Sequence, residues 1–181
     1  ALISLLNCWK NNVDGKITAL IVNHNIREES KEEAIKVLNY LKSLNIPAII
    51  LRVNKSNIKK KNMNEARINR YKLLTRYCQN NKILHLFLAH HKDDNIETFV
   101  NRRVAGSNYE GLDSIKKYTV KDKINIIRPL IQFKKIQIIK YCKSNNIKYL
   151  IDPTNKNLNY TRPVIRLFLK NASLGTMNEI N

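Results

Sequence analysis

A chain of 181 residues, 43% of them hydrophobic, carries the apolar load of one globular domain, whose usual size is about 100–200 residues. With 33 Lys and Arg against 14 Asp and Glu, the net charge of +19 points to a nucleic-acid partner, since each phosphate neutralised releases counterions; AT-rich codon usage, which favours Lys, Asn and Ile, is the competing source of that charge. No apolar run reaches the roughly 20 residues of a membrane helix, and Ala1–Trp9 has neither a basic flank nor a small-residue cleavage site, so neither a membrane span nor a secretory leader is expected.

The opening Ala1–Trp9 reads as a helix with Leu2, Leu5, Leu6 and Trp9 on one face. Ile17–Asn23 then reads as a strand. Ser30 is placed to cap a following helix, with Glu33 three residues on and Ala34, Val37, Leu38 and Leu41 at helical spacing, ending near Asn45. A second strand is expected at Ala48–Val53. A second crossover helix is expected over Asn62–Gln79, its apolar positions Ala66, Ile68, Tyr71, Leu74 and Cys78. Ile83–Ala89 is a third strand, with a helix starting at Asp93 or Asp94. Ile124–Ile127 is a fourth strand, Ile131–Lys143 the last clear helix, and Asp152, Pro153 and Asn155 a turn.

The strands are nearly continuous in Ile, Leu and Val, as strands are when helices cover both faces of a parallel sheet. The expected architecture is a single α/β domain over residues 1–181, with a tail from about residue 170 that has no clear role. A nucleotide-binding sheet of this kind opens on a strand whose glycine-rich turn feeds the first helix and cradles phosphate. Here a helix comes first and no glycine precedes Gly15. The first strand and its phosphate loop are therefore expected to fall before Ala1.

The densest chemistry lies at Ala89-His90-His91-Lys92-Asp93-Asp94-Asn95-Ile96-Glu97-Thr98, where an apolar strand gives way to a helix. Ligands of open α/β sheets bind at the carboxyl ends of strands. On a helix, Asp94 and Glu97 share a face at i, i+3, a pattern able to hold Mg²⁺ with its phosphates or a ligand ammonium. An Asp at a helix start also caps free N–H groups and offsets the macrodipole, so the same residues have a purely structural reading. Cys8, Cys78 and Cys142 lie far apart with no CxxC pair, so neither a disulfide framework nor a zinc or iron-sulfur site is expected, and a reducing cytoplasm fits best.

HHKDDNIET resembles the HHxDDxxET signature of the N-type ATP pyrophosphatase (PP-loop) enzymes that modify tRNA. Val22-Asn23-His24-Asn25-Ile26-Arg27 with Glu29-Ser30 resembles the V-D/N-H-x-L-R-x-E-S stretch of that family. Ala66-Arg67-Ile68-Asn69-Arg70-Tyr71 is similar to its A-R-x-x-R-Y helix. Arg128-Pro129-Leu130 and Asp152-Pro153-Thr154-Asn155, with Tyr160 and Arg162 behind, are similar to its R-P-L and D-P-[ST]-N segments. Taken in order, the five segments most resemble, within the family, those of the tRNA(Ile)-lysidine synthases. Three features depart from the pattern: the S-G-G-x-D-S phosphate loop would fall just before Ala1, Asn108 stands where the turn after the signature helix usually has Gly, and R-N-x-x-R reads Arg162-Pro163-Val164-Ile165-Arg166.

The resemblance implies a Rossmann-like sheet of the adenine nucleotide alpha hydrolase-like class. It implies a ligase that uses ATP and Mg²⁺ to join L-lysine to the wobble cytidine of a CAU-anticodon tRNA(Ile), with a homodimer as an allowed assembly. By the same resemblance, His91, Asp94, Glu97 and Arg67 serve catalysis, Asp94 also as metal ligand. Arg70 and Arg128 bind substrate, and Asn23 and His24 lie near the nucleotide. A tRNA thiolase of the same family, and an RNA-binding remnant without catalysis, stay open as alternatives.

Overall fold

The computed structural model describes residues 1–24, 29–54, 63–106, 115–150 and 163–169. The described part packs as two compact units, one formed by Leu2–Leu88 with Tyr118–Ile127, the other by the described residues of Ala89–Lys117 and Arg128–Asn181.

The first unit holds the strands. Helix α1 (Leu2–Lys10) is followed by β1 (Ala19–Asn23), α2 (Glu29–Ser43), β2 (Ala48–Arg52), α3 (Met63–Asn80) and β3 (His85–Phe87), and later by β4 (Tyr118–Lys121) and β5 (Ile124–Ile127). β1 pairs with β2 in parallel, Ala19 opposite Ala48 and Asn23 opposite Arg52. β3 pairs in parallel with β5, and β4 adds antiparallel to the other edge of β5. This is the expected α/β fold with parallel strands joined through helices.

Helix α3 organises the core. Its Tyr71, Leu74 and Cys78 bury against Leu86 of β3 and Ile124 and Ile126 of β5, with Leu20 and Val22 of β1 and Leu51 of β2 packed at the margin. The apolar positions recur every three to four residues on α3 and every second residue on β5, so one face of each meets the other. Trp9 of α1 rests on Phe87 with ring centroids 6.2 Å apart.

The second unit contains α4 (Lys92–Val104), α5 (Lys135–Ser144) and a short helix, α6, over 163–169. Helices α2, α3 and α5 share one ending, built with few glycines. Asn45, Lys82 and Asn146 adopt φ of 54°, 54° and 52°, and the next residue, an Ile each time, donates its N–H back to the carbonyl of Leu41, Cys78 or Cys142. The left-handed residue satisfies a carbonyl the helix would otherwise leave open, and the Ile seals the end apolarly.

Several expected boundaries shift for local reasons. Ser30 lies inside α2, which starts at Glu29; Glu29 and Glu32 in the first turn suit the positive end of the helix dipole. α5 starts at Lys135 instead of Ile131, because Ile131 and Phe133 donate to the carbonyls of Arg128 and Leu130 in a turn. β4 was not foreseen: Tyr-Thr-Val-Lys offers little apolar signal, and its turn to β5 uses Asp122 and Lys123 at φ of 51° and 62°, with no Gly to mark it. The expected turn at Asp152, Pro153 and Asn155, and the residues Asn25–Arg27, Asn62, Asn108, Tyr160 and Arg162, lie outside the described residues.

Candidate active site

The motif residues of the second unit form one connected arrangement around the start of α4. His91 is the N-cap, in extended conformation, so Lys92, Asp93 and Asp94 occupy the first three helical positions. The Asp94 N–H donates to His91 Nδ1 at 3.3 Å, and the His91 N–H donates to Asp94 Oδ2 at 3.0 Å, a reciprocal capping box with histidine in the usual Ser or Thr role. Because Nδ1 accepts, the neutral ring carries its proton on Nε2, which lies 3.4 Å from Asp94 Oδ2.

Further along α4, the side chains of Asp93, Asn95, Glu97 and Thr98 each have a partner. Asp93 Oδ2 accepts from the backbone N–H of Lys135 at 2.7 Å, and Asn95 Oδ1 from that of Ile115 at 2.6 Å. Thr98 turns its hydroxyl back onto the carbonyl of Asp94. Glu97 faces inward, 2% exposed, and meets Arg166 of α6 in a fork: Nε to Oε1 at 2.5 Å and Nη2 to Oε2 at 3.2 Å. The hydrogen bond to Glu97 raises the Arg166 pKa further above its ordinary value, against a smaller opposing effect of burial. Arg166 is the residue that motif reading passed over. Its signal was the R-x-x-x-R spacing from Arg162, treated only as a departure from the family pattern.

Arg128 is buried at 5% exposure, with its guanidinium donating to the Lys116 carbonyl at 2.8 Å and its backbone N–H to that of Lys117 at 2.9 Å. These bonds give it a structural task whatever else it does. In the first unit, Asn23 ends β1 and is buried, and its carbonyl accepts from Val53. His24 follows, its pKa lowered first by burial and then by the positive charge of Arg70. Arg67 lies over the Tyr71 ring at 5.6 Å from the centroid, as does Lys121 at the same distance. The structure thus brings His91, Asp94 and Glu97 together in one unit, and His24 and Arg70 in the other.

The carboxylates bear differently on a cation. Both oxygens of Glu97 are engaged by Arg166, whereas Asp93 and Asp94 each accept through Oδ2, with no hydrogen bond to Oδ1 of either among the described residues. Mg²⁺ commonly takes one or two protein carboxylates and completes its shell with water and phosphate oxygens, so this donor set suits it. Among the described residues no group of three or more His, Cys, Asp or Glu side chains is placed to form an all-protein metal cage.

A family model described as PP-loop domain matches residues 1–173. The chain belongs to the PP-loop domain family. This PP-loop domain is 41% identical over 171 residues to a tRNA(Ile)-lysidine synthase of Wolbachia pipientis wMel, covering 93% of this chain and 40% of the relative. A tRNA(Ile)-lysidine synthase of Orientia tsutsugamushi (strain Boryong) is 36% identical over 178 residues, 98% of this chain and 40% of the relative. The chain therefore spans about two fifths of the length of these curated relatives. A solved U34-tRNA thiolase from Methanococcus maripaludis, described with its 4Fe-4S cluster, superposes with a TM-score of 0.78 at 18% identity, over 96% of this chain and 62% of that one. At that identity the likeness concerns the fold of the PP-loop domain. No helix among the described residues is long and apolar enough to cross a membrane.

Proposed function

We propose that this PP-loop domain serves the ATP-dependent ligation of L-lysine to the wobble cytidine of a CAU-anticodon tRNA(Ile). The observation that carries the reading is the 36–41% identity to proteins named tRNA(Ile)-lysidine synthase over nearly all of this chain, with HHKDDNIET in place. The thiolase likeness rests on 18% identity and does not compete at the level of substrate.

The reaction has two steps. The cytidine O2 attacks the α-phosphorus of ATP and pyrophosphate leaves. The lysine ε-amine, as the free base, then attacks C2 of the adenylated base, AMP leaves with the bonding pair to oxygen, and the amine loses its proton. Mg²⁺ would supply charge neutralisation on the phosphates, with Asp94 Oδ1 as the protein oxygen that would hold it. His91 offers an Nε2–H donor to a phosphate oxygen in the tautomer its cap enforces. The same Asp94 Oδ1 serves one cation at a time: where Mg²⁺ is not on it, it is the oxygen able to orient an incoming ammonium and accept its proton. Glu97 keeps its charge matched by Arg166, so its contribution is to hold that guanidinium beside the site. Arg67 and Arg70 suit phosphate or carboxylate through their planar forks, and Asn23 and His24 belong to the nucleotide side of the reading. The surplus of cations serves tRNA binding.

The test is incorporation of labelled lysine into a CAU-anticodon tRNA(Ile) transcript by the full-length protein that carries this domain. Asp94→Asn keeps an acceptor for the His91 N–H, so it should cost only about 1 kcal/mol in stability. Its rate of lysidine formation should fall on the order of 100-fold or more, because the charge is needed at the chemical step. Lys92→Ala, an exposed side chain within the same motif, serves as control. Near-normal turnover by Asp94→Asn would reduce the residue to a helix cap.

A further inference from the structure

We propose that Asp93 is a positioning residue: its carboxylate caps α5 from outside that helix and so locks the start of α4, with His91, in place. The observation is a reciprocal tie between two helix N-termini. The N–H of Lys92, first residue of α4, donates to the carbonyl of Phe133 at 2.9 Å. The N–H of Lys135, first residue of α5, donates to Asp93 Oδ2 at 2.7 Å. Asp93 of α4 thereby satisfies the leading amide of α5, and Phe133, just ahead of the α5 N-cap, satisfies that of α4, each a group that no intrahelical carbonyl can reach.

The sequence of α5 explains why an outside acceptor is needed. Its N-cap is Lys134, whose ammonium can only donate, so the position that Ser, Thr, Asp or Asn would fill offers no oxygen to the first turn. Gln137 reaches back to the Lys134 N–H at 2.8 Å, which completes half of a capping box and leaves the Lys135 amide to Asp93. Lys134 and Lys135 also stand at the positive end of the helix dipole, where cations are unfavourable. The Asp93 charge offsets them. The same oxygen lies 3.6 Å from His91 Nδ1, so the carboxylate that holds α5 also borders the ring whose orientation the reaction would use. A local N-cap on α5 would have given the same helix stability without joining the two termini, and the chain instead spends a signature residue on the joint.

Only the catalytic readout below rests on the proposed lysidine-forming activity. The experiment compares Asp93→Ala, Asp93→Asn and the double variant Asp93→Ala/Lys134→Asp, the last restoring a local cap to α5 while leaving the two helices untied. Amide hydrogen exchange is followed at Lys92 and Lys135, beside thermal unfolding and the kcat and KM of pyrophosphate release with tRNA. In Asp93→Ala both amides should lose about fivefold or more of their protection, as expected for a lost cap. Its kcat should fall about 10- to 100-fold with little change in KM, since a small misplacement of a reacting group is costly while binding is spared. Asp93→Asn, which keeps an oxygen for the Lys135 N–H, should retain most of both. The double variant should recover thermal stability and Lys135 protection, yet keep the Lys92 amide exposed and kcat low. Recovery of kcat together with stability in the double variant would make Asp93 a simple cap and overturn the inference, as would unchanged Lys92 protection in Asp93→Ala. If the unmutated protein releases no pyrophosphate, the functional reading fails by itself, and the exchange data at Lys92 alone decide for or against the tie.

Discussion

Removing the cation from the Glu97–Arg166 pair should unfold the second unit more readily than any other single polar change described above. Arg166→Met keeps much of the aliphatic stem and deletes the guanidinium, leaving the Glu97 carboxylate at 2% exposure without its two charge-assisted bonds. Breaking a buried pair by removing one partner costs about 3–5 kcal/mol; Arg166 keeps 30% of its side chain in solvent, so water can enter and about 3 kcal/mol is the expected loss. The reverse change is milder. Glu97→Gln leaves a neutral acceptor and a guanidinium that can turn to water, and should cost about 1–2 kcal/mol. Replacing both, as Glu97→Leu with Arg166→Met, should recover part of the loss, because neither partner remains buried and charged. The assay is urea unfolding followed by circular dichroism, with Trp9 fluorescence in parallel. Trp9 packs on Phe87 in the first unit, so its signal separates that unit from the one carrying the mutation. An Arg166→Met protein within about 0.5 kcal/mol of the parent, the range of ordinary surface changes, would refute the claim that this pair fastens α6 to α4.

His24 provides a pH test. Its folded pKa lies below the ordinary 6.5, so the unfolded chain binds the proton more readily. Its contribution to stability is therefore full above about pH 6.5 and is lost as pH falls through the folded value. His24→Gln should flatten that part of the stability profile relative to the parent, and an unchanged slope in acid unfolding would contradict the assignment. Lys123→Gly should stabilise the β4–β5 turn by about 1 kcal/mol, since glycine adopts its φ of 62° without the left-handed penalty and the gain exceeds the extra entropy lost. Asp122→Gly should gain less despite the similar φ of 51°, because it removes the carboxylate 2.9 Å from the Thr75 hydroxyl and leaves that hydroxyl only the carbonyls of its own helix, Tyr71 at 3.0 Å; thermal unfolding of the two variants side by side is the check.

Much of the first unit was legible because local pattern and tertiary role coincide there. The apolar runs of β1 and β2 and the three-to-four spacing on α3 survive folding as the core that Tyr71, Leu74 and Cys78 make with Leu86, Ile124 and Ile126. β4 was illegible because an edge strand needs few apolar residues, and its turn takes Asp and Lys into a conformation that glycine usually marks. The start of α5 was misplaced because Ile131 and Phe133 look helical by periodicity, while their amides are claimed by carbonyls of a turn.

HHKDDNIET was visible in the sequence as a cluster of acids and histidines at a strand-to-helix switch, and that much follows from residue type and spacing alone. Which acid does what was decided by folding. Asp93, Asp94 and Glu97 differ little by composition, yet one reaches the first amide of α5, one closes a box with His91, and one is buried against a guanidinium 69 residues further along the chain. No local rule distinguishes these outcomes, because a carboxylate takes the nearest donors available, and those donors arrive only when α5 and α6 pack beside α4.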